Sequence, residues 1–344
     1  RSKGGNKLNT ARLLIELSNA FGPVGYEDRV HEVIKAELSP YVDEIYRDEI
    51  GNLIAVKKGS SRRVGVFTHI DEVSLVISAI DERGFARFES LGGVDPKILI
   101  SQKVRIVCRD GKERKGVIGM LAPHLQKPGS KGDVPSFDEL FIDVSINQDF
   151  DKIDIGDLAV VDFAAFEMGE KVSGKALDDR ACAAISIETA KLLSRYREHP
   201  TVYFIFTTRE EVGAMGARAA AEALEFDLGL AMDVTHHSKE DGIEMGNGPV
   251  LTVGGPNIHK GYFKKLDDYA RKNGFSVQYD YGSGHTGTDA DVVQLAGNGT
   301  PTLLLSLPQL FMHTPVEVVQ VCDILNSARL LSGFFCSLEE VEAV

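Results

Sequence analysis

Val64-Gly65-Val66-Phe67-Thr68-His69-Ile70-Asp71 is a buried-type apolar run that leads into an imidazole and a carboxylate. Its β-branched and aromatic content reads as a strand. His69 and Asp71 alternate along extended chain, so their side chains share a face. Four further places repeat the pattern: Asp178-Asp179, Glu210-Glu211, Asp233 and His313 stand at or just beyond the ends of strand-like runs. In an open α/β sheet, strand ends are where the ligand crevice lies. Buried acids without a cation repel one another, so this convergence points to a nest for divalent metal and to hydrolysis assisted by it.

Each motif has a plainer alternative. His69-Ile70-Asp71 fits a metal-binding imidazole whose second nitrogen is held by the acid, but also a strand-end turn followed by a helix-capping aspartate. Asp178-Asp179 opens a helix, where acids are favoured by the dipole anyway; the functional reading makes one carboxylate a bridge between two ions. Glu210-Glu211 discriminates best, because adjacent acids at a strand end point in different directions and can divide metal binding from proton transfer. Asp233 ends the apolar run 228–232 and needs a partner if buried. His313 lies in an apolar loop after a strand, as a ligand or as a core histidine bonded to backbone. His236 and His237 read as site wall or surface. Two imidazoles and three carboxylates, with one hydroxide, balance two divalent ions, leaving Asp71 and Glu210 for supporting and base roles.

Composition narrows the class. The chain has 344 residues, enough for about two domains. Its 51 acidic against 38 basic residues give a net charge of −13, which argues against a nucleic-acid surface. The four cysteines, Cys108, Cys182, Cys322 and Cys336, form no Cys-x-x-Cys pair and read as reduced residues of a cytoplasmic protein. No apolar stretch approaches the ~18 residues of a membrane span, so no membrane partner is expected. Leu8, Leu13, Leu14, Leu17 and Phe21 share a helical face and do not form a signal-peptide core. The chain opens on Arg1, which suggests a processing boundary.

Helices are expected over 10–21 and 27–38, broken by Gly22-Pro23 and Ser39-Pro40, then strands over 44–48 and 52–57. From about 77 to 167 the pattern changes to short strands and turns with no convincing helix, including a hairpin at Arg109-Asp110-Gly111-Lys112. Helix and strand then alternate: helices over 179–195, 214–224 and 262–273, one near Thr288 and one after Thr314-Pro315, with strands over 202–207, 228–232 and 302–307. The expected architecture is α/β: a mixed sheet flanked by helices, built from 1–76 and 168–344, with an inserted all-β barrel-like domain over 77–167.

The motifs His69-Ile70-Asp71-Glu72, Ala176-Leu177-Asp178-Asp179-Arg180, Glu210-Glu211-Val212-Gly213, Asp233-Val234-Thr235-His236 and His313-Thr314-Pro315-Val316-Glu317-Val318 carry a resemblance. In this order they are similar to the tetrahedral aminopeptidases, a family of cocatalytic-metal glutamyl, leucyl and lysyl aminopeptidases, some of whose members are labelled deblocking aminopeptidases or cellulases. The resemblance spans nearly the whole chain. It implies two divalent ions, with His69 on one, His313 on the other, Asp178 bridging, and Glu211 and Asp233 completing the two sites. It implies Glu210 as general base and Asp71 orienting His69. It also implies peptide substrates, a barrel-like insert used in dimerisation, and dimers assembling into a hollow dodecamer. Thr288 and Asp289, in Gly287-Thr288-Asp289-Ala290, resemble a family motif near the substrate; an ordinary helix cap is the alternative. Arg209 stands where many relatives carry glutamine. Zinc, cobalt and manganese all accept this ligand mix.

The rivals come from other classes. Two carboxylates also cleave glycosides, but that chemistry needs no histidine ligands, and the chain has no tryptophan for sugar stacking. A non-catalytic shell protein that keeps its metals is the other alternative; an intact Glu210 speaks against it.

Overall fold

A computed structural model of the chain describes residues 3–125, 134–146, 149–255 and 257–340; Arg1 lies outside them. Helices α1 (Lys3–Asn19) and α2 (Asp28–Leu38) come first. They bury Leu13, Leu14 and Leu17, and Val30, Ile34 and Leu38, at helical spacing. Strands β1 (Glu44–Arg47), β2 (Leu53–Lys57) and β3 (Ser60–His69) follow. The chain then leaves the sheet for six strands: β4 (Ser74–Ile80), β5 (Phe85–Leu91), β6 (Lys103–Val107), β7 (Glu113–Gly119), β8 (Phe141–Asp143) and β9 (Leu158–Val161). These close an antiparallel barrel in the order β4-β5-β8-β7-β6-β9, with a one-turn helix α3 (Pro96–Leu99) after β5. Closure removes free edges, and Ile77, Phe88, Val104, Ile106, Ile118 and Ile142 fill the interior.

The chain re-enters the main sheet through β10 (Phe166–Met168) and β11 (Lys171–Gly174). Helix α4 (Leu177–Leu193), β12 (Pro200–Thr207), α5 (Met215–Ala223), β13 (Leu228–His236) and β14 (Val250–Val253) come next. Then α6 (Lys260–Lys272), β15 (Gln278–Tyr281), α7 (Ala290–Val293), β16 (Thr302–Leu310), β17 (Glu317–Gln320) and α8 (Val321–Glu340) complete the described chain. The main sheet runs β1-β2-β12-β3-β13-β16-β17-β11-β10, with β14 and β15 branching from β16. Its centre is parallel: β12, β3, β13 and β16 lie side by side and point their C-terminal ends the same way. The expected fold class is therefore observed, a mixed sheet with flanking helices and a closed six-stranded barrel.

Helix α4 is buried on almost every side, enclosed by its neighbours. It packs between the sheet and α8, burying Ile185, Ile187 and Leu193 against a core that includes Leu331, Phe334 and Phe335. Each such side chain contributes roughly 1.5–3 kcal/mol of burial free energy.

Several details differ from expectation. One helical segment, Val321–Glu339, does have the length and apolarity of a membrane span, with a mean hydropathy of 1.2; but 72% of that stretch is buried in the fold, so it is a core helix. It begins at Val321 because 317–320 form a strand between β16 and β11 instead of continuing from Thr314-Pro315 into helix. Asp233 lies inside β13 and not past its end. The barrel starts at Ser74 and its last strand ends at Val161, a few residues before the expected limits at each side.

Candidate metal centre and cleft

The parallel centre of the sheet assembles the site. Thr207 at the end of β12 is in register with His69 at the end of β3, which brings Glu210 and Glu211 alongside the imidazole. The turn carrying the two glutamates is held from below. Asp71 accepts the backbone N–H of Glu210 at 3.1 Å and of Glu211 at 3.2 Å, one on each carboxylate oxygen. The next helix approaches closely there: a Cβ at Gly216 would sit 2.3 Å from the Thr208 carbonyl, so glycine is required. Asp233 comes from β13, and Asp178 from the head of α4, where Asp178 and Asp179 keep non-helical backbone angles and are joined by a cis peptide. His313 follows β16 with a left-handed backbone, φ +59°.

Asp178 lies between the two imidazoles. Its Oδ1 is 3.1 Å from His69 Nε2 and its Oδ2 is 3.2 Å from His313 Nε2. Asp233 Oδ1 lies 4.0 Å from His69 Nε2, and Glu211 Oε1 lies 3.4 Å from His313 Nε2. Two groups of donors result, His69–Asp178–Asp233 and Asp178–Glu211–His313, with the ligand atoms in each within 4.8 Å of one another. The five residues expected to bind metal are thus brought together, sharing Asp178. Glu210 Oε2 approaches His69 Nε2 to 3.9 Å.

The tautomers give a test of fit. His69 Nδ1 faces the Asp71 carbonyl at 3.2 Å, and His313 Nδ1 faces the Gly93 carbonyl at 2.9 Å. A carbonyl only accepts, so each Nδ1 carries the hydrogen and each Nε2 is left with a lone pair. Each lone pair then confronts a carboxylate oxygen, acceptor against acceptor. That arrangement is stable only with a proton or a cation between them, and two divalent ions satisfy both gaps at once.

The electrostatics agree. Burial, helped by Asp289, Glu211 and Asp71 and opposed by His69, holds Glu210 at about 8. Burial with Asp178, opposed by the two imidazoles, holds Glu211 at about 7. Burial and the adjacent Asp179 and Asp178 lift Asp233 well above the carboxylate range. The hydrogen bond to Asp178 leads in raising His313 to about 9. Burial opposes charge on His69, but the acids around it outweigh that and raise it. Without cations the cluster is held together by protons that metal would displace.

Two expected roles change. The Asp71 side chain is farther from His69, at 3.7 Å, than its own carbonyl, so its carboxylate serves mainly the glutamate turn. A cleft of about 700 Å³ opens over the donors; Thr288 lines it, with Thr235, His236, Thr286, Asp291 and Met312 among its walls. Asp289 does not line it. It is buried behind, with Oδ2 accepting from the Thr207 hydroxyl at 2.6 Å. The acid that orders this wall is Asp291, which accepts from the backbone N–H of Thr286 and Gly287 and from the Thr286 hydroxyl, with His285 Nδ1 at 2.8 Å. Sequence reasoning missed Asp291, and also Gly93, a barrel-loop residue whose contribution is a backbone carbonyl.

The sequence profile of the M42 glutamyl aminopeptidases matches residues 51–330. The chain is similar to the lysyl aminopeptidase of Pyrococcus furiosus, with 32% identity covering 96% of this chain and 98% of that one. Among solved structures it is similar to aminopeptidase APDkam598 from the archaeon Desulfurococcus kamchatkensis, at TM-score 0.87 and 31% identity, covering 98% of this chain and 99% of the other. It also matches the Pyrococcus horikoshii TET1 peptidase at TM-score 0.84 and 28% identity, covering 95% and 99%; that protein assembles into a tetrahedron or a large octahedral shell.

Proposed function

The chain belongs to the M42 glutamyl aminopeptidase family, and on that premise we propose that it is a dinuclear metal-dependent aminopeptidase removing N-terminal residues from peptides. The observation that carries the reading is Asp178, whose two oxygens face the Nε2 atoms of two different histidines. His69, Asp178 and Asp233 would hold one ion, and Asp178, Glu211 and His313 the other. Bound there, the ions supply Lewis acidity toward a peptide carbonyl and lower the pKa of water. Zinc and cobalt suit two imidazoles with three carboxylates, and manganese is also accommodated.

Glu210 is the base in this reading. It lines the cleft beside His69, and Asp71 pins its backbone, so its carboxylate is placed to take a proton from the attacking water and return it to the leaving amine. The acidic floor also suits the free ammonium of a peptide N-terminus and is unfavourable to a blocked one. Among the described residues no lysine or arginine lines the cleft, while Asp291 does. An acidic first residue would therefore lack a counter-charge, and neutral or basic first residues are the preferred substrates.

Assembly into a homo-oligomer is part of the proposal. Val117, Met120, Leu121 and Leu125 are exposed apolar side chains on one stretch of the barrel, which supports a dimer contact there, as do the shells formed by the Pyrococcus horikoshii relative. No disulfide joins the four cysteines, which supports a reducing compartment such as the cytoplasm.

Hydrolysis of aminoacyl-chromogenic substrates, before and after chelation and with zinc or cobalt restored, tests the reading. Metal-dependent release from lysyl and leucyl substrates, weak release from glutamyl and none from N-acetylated ones, is expected. No release with either metal, although two ions bind per chain, would move the reading to a non-catalytic metal protein. Cleavage that survives complete metal removal would refute it.

A further inference from the structure

Glu317 opens β17 and is 2% exposed, yet its carboxylate faces backbone and not the cleft. One oxygen, Oε2, accepts the N–H of Leu177 at 2.7 Å and of Asp178 at 3.1 Å. The other, Oε1, accepts the N–H of His313 at 2.9 Å. A single buried carboxylate thus ties together two segments that are 135 or more residues apart in sequence, counting from 178 to 313. Each segment carries one of the side chains that face each other across the Asp178–His313 gap.

These segments do not hold their own shape. Ala176 has φ +53°, Phe311 φ +62° and His313 φ +59°, a left-handed conformation disfavoured for any residue with a Cβ. Such backbone persists where its surroundings over-determine it. Glu317 supplies that constraint on both sides. By contrast, His69 sits on β3 paired with Thr207 of β12, and Asp233 on β13 paired with Ser306 of β16, so the sheet ladders place them without its help.

We propose that Glu317 is a positioning residue that sets Asp178 and His313 to their mutual spacing and so controls the affinity of the Asp178–Glu211–His313 position for its ion. The inference rests on the metal-binding reading above.

Glu317→Gln separates the two duties. The amide oxygen keeps the N–H groups of Leu177 and Asp178, but the new NH₂ meets the N–H of His313, donor against donor. The variant therefore releases His313 while leaving Asp178 in place. Glu317→Asp retains the carboxyl group but is one methylene too short to span both segments, and it covers the case in which the glutamine variant does not fold.

The experiment is metal content per chain by mass spectrometry after equilibration with limiting zinc or cobalt, together with the visible spectrum of the cobalt forms. The wild type is expected to hold two ions. The variants are expected to keep one and to bind the second about 10- to 100-fold more weakly, with one set of cobalt bands lost. Variants that hold two ions with unchanged affinity and spectrum overturn the inference alone. Variants that lose both ions together also overturn it, because Glu317 would then support the fold in general. A wild type that holds none overturns the metal reading and this inference with it.

Discussion

Replacing Arg180 by methionine removes the most completely buried cation among the described residues and tests how the ground under the site is held. Arg180 spends all five N–H donors inside. Nε bonds the Ile70 carbonyl at 3.0 Å; Nη1 bonds the carbonyls of Leu17 at 3.0 Å and Ala20 at 2.7 Å; Nη2 bonds Gly22 at 3.2 Å and the Glu72 carboxylate at 3.0 Å. Glu72 keeps a second partner, Lys175 Nζ at 2.5 Å, so its charge is not left bare in the variant. Breaking a buried pair costs about 3–5 kcal/mol, and the surviving lysine puts this one at the lower end. The four released carbonyls add a fraction of about 1 kcal/mol each. The total is about 4 kcal/mol, or roughly 5–6 °C in the melting temperature of a chain this long. Thermal unfolding of metal-free wild type, Arg180→Met and Arg180→Lys by circular dichroism reads it. Lysine cannot supply the fork and should recover less than half of the loss. A methionine variant that melts within about 2 °C of wild type would refute the argument that this network anchors the ends of α1 and β3.

His31 is buried on α2 with Nε2 lacking a partner, and burial lowers it from 6.5 to about 4. Between those values the unfolded chain binds the proton and the folded one does not, so stability falls as pH drops from 6.5 toward 4, by up to about 3 kcal/mol. Denaturant titrations of His31→Leu should show a flatter acid limb; an unchanged slope would contradict this. At Gly93, a Cβ would stand 2.8 Å from His313 Nδ1, so Gly93→Ala should weaken zinc binding at one of the two positions while leaving the melting temperature of the metal-free protein within about 2 °C. Equal zinc affinity in titration calorimetry would show that the barrel loop does not set the imidazole.

The central strands were legible because β3, β12, β13 and β16 are apolar enough to be enclosed on both sides, and each delivers a polar side chain near its end. Strands β14 and β15 were not, because four-residue strands in a glycine-rich stretch carry too little periodicity. The same limit hid β17, whose Val318-Val319 reads as easily as the start of α8. At the site, metal-type side chains announce themselves by residue type. Supporting groups do not: the Gly93 carbonyl belongs to backbone, and Asp71 showed its acid but not which N–H groups it would bind. Asp289 and Asp291 differ by two positions in one turn, and only the packing against Thr207 decides which faces inward. Register at that scale is tertiary information.

The most direct test of the account is Glu210→Gln, with turnover and metal content measured on the same preparation. The glutamine keeps shape and bulk but cannot take a proton. Turnover of a free-amine substrate is expected to fall about a thousandfold while two ions per chain remain. Full activity with both ions bound would contradict the assignment of Glu210 as the base and, with it, the mechanism built on this cleft.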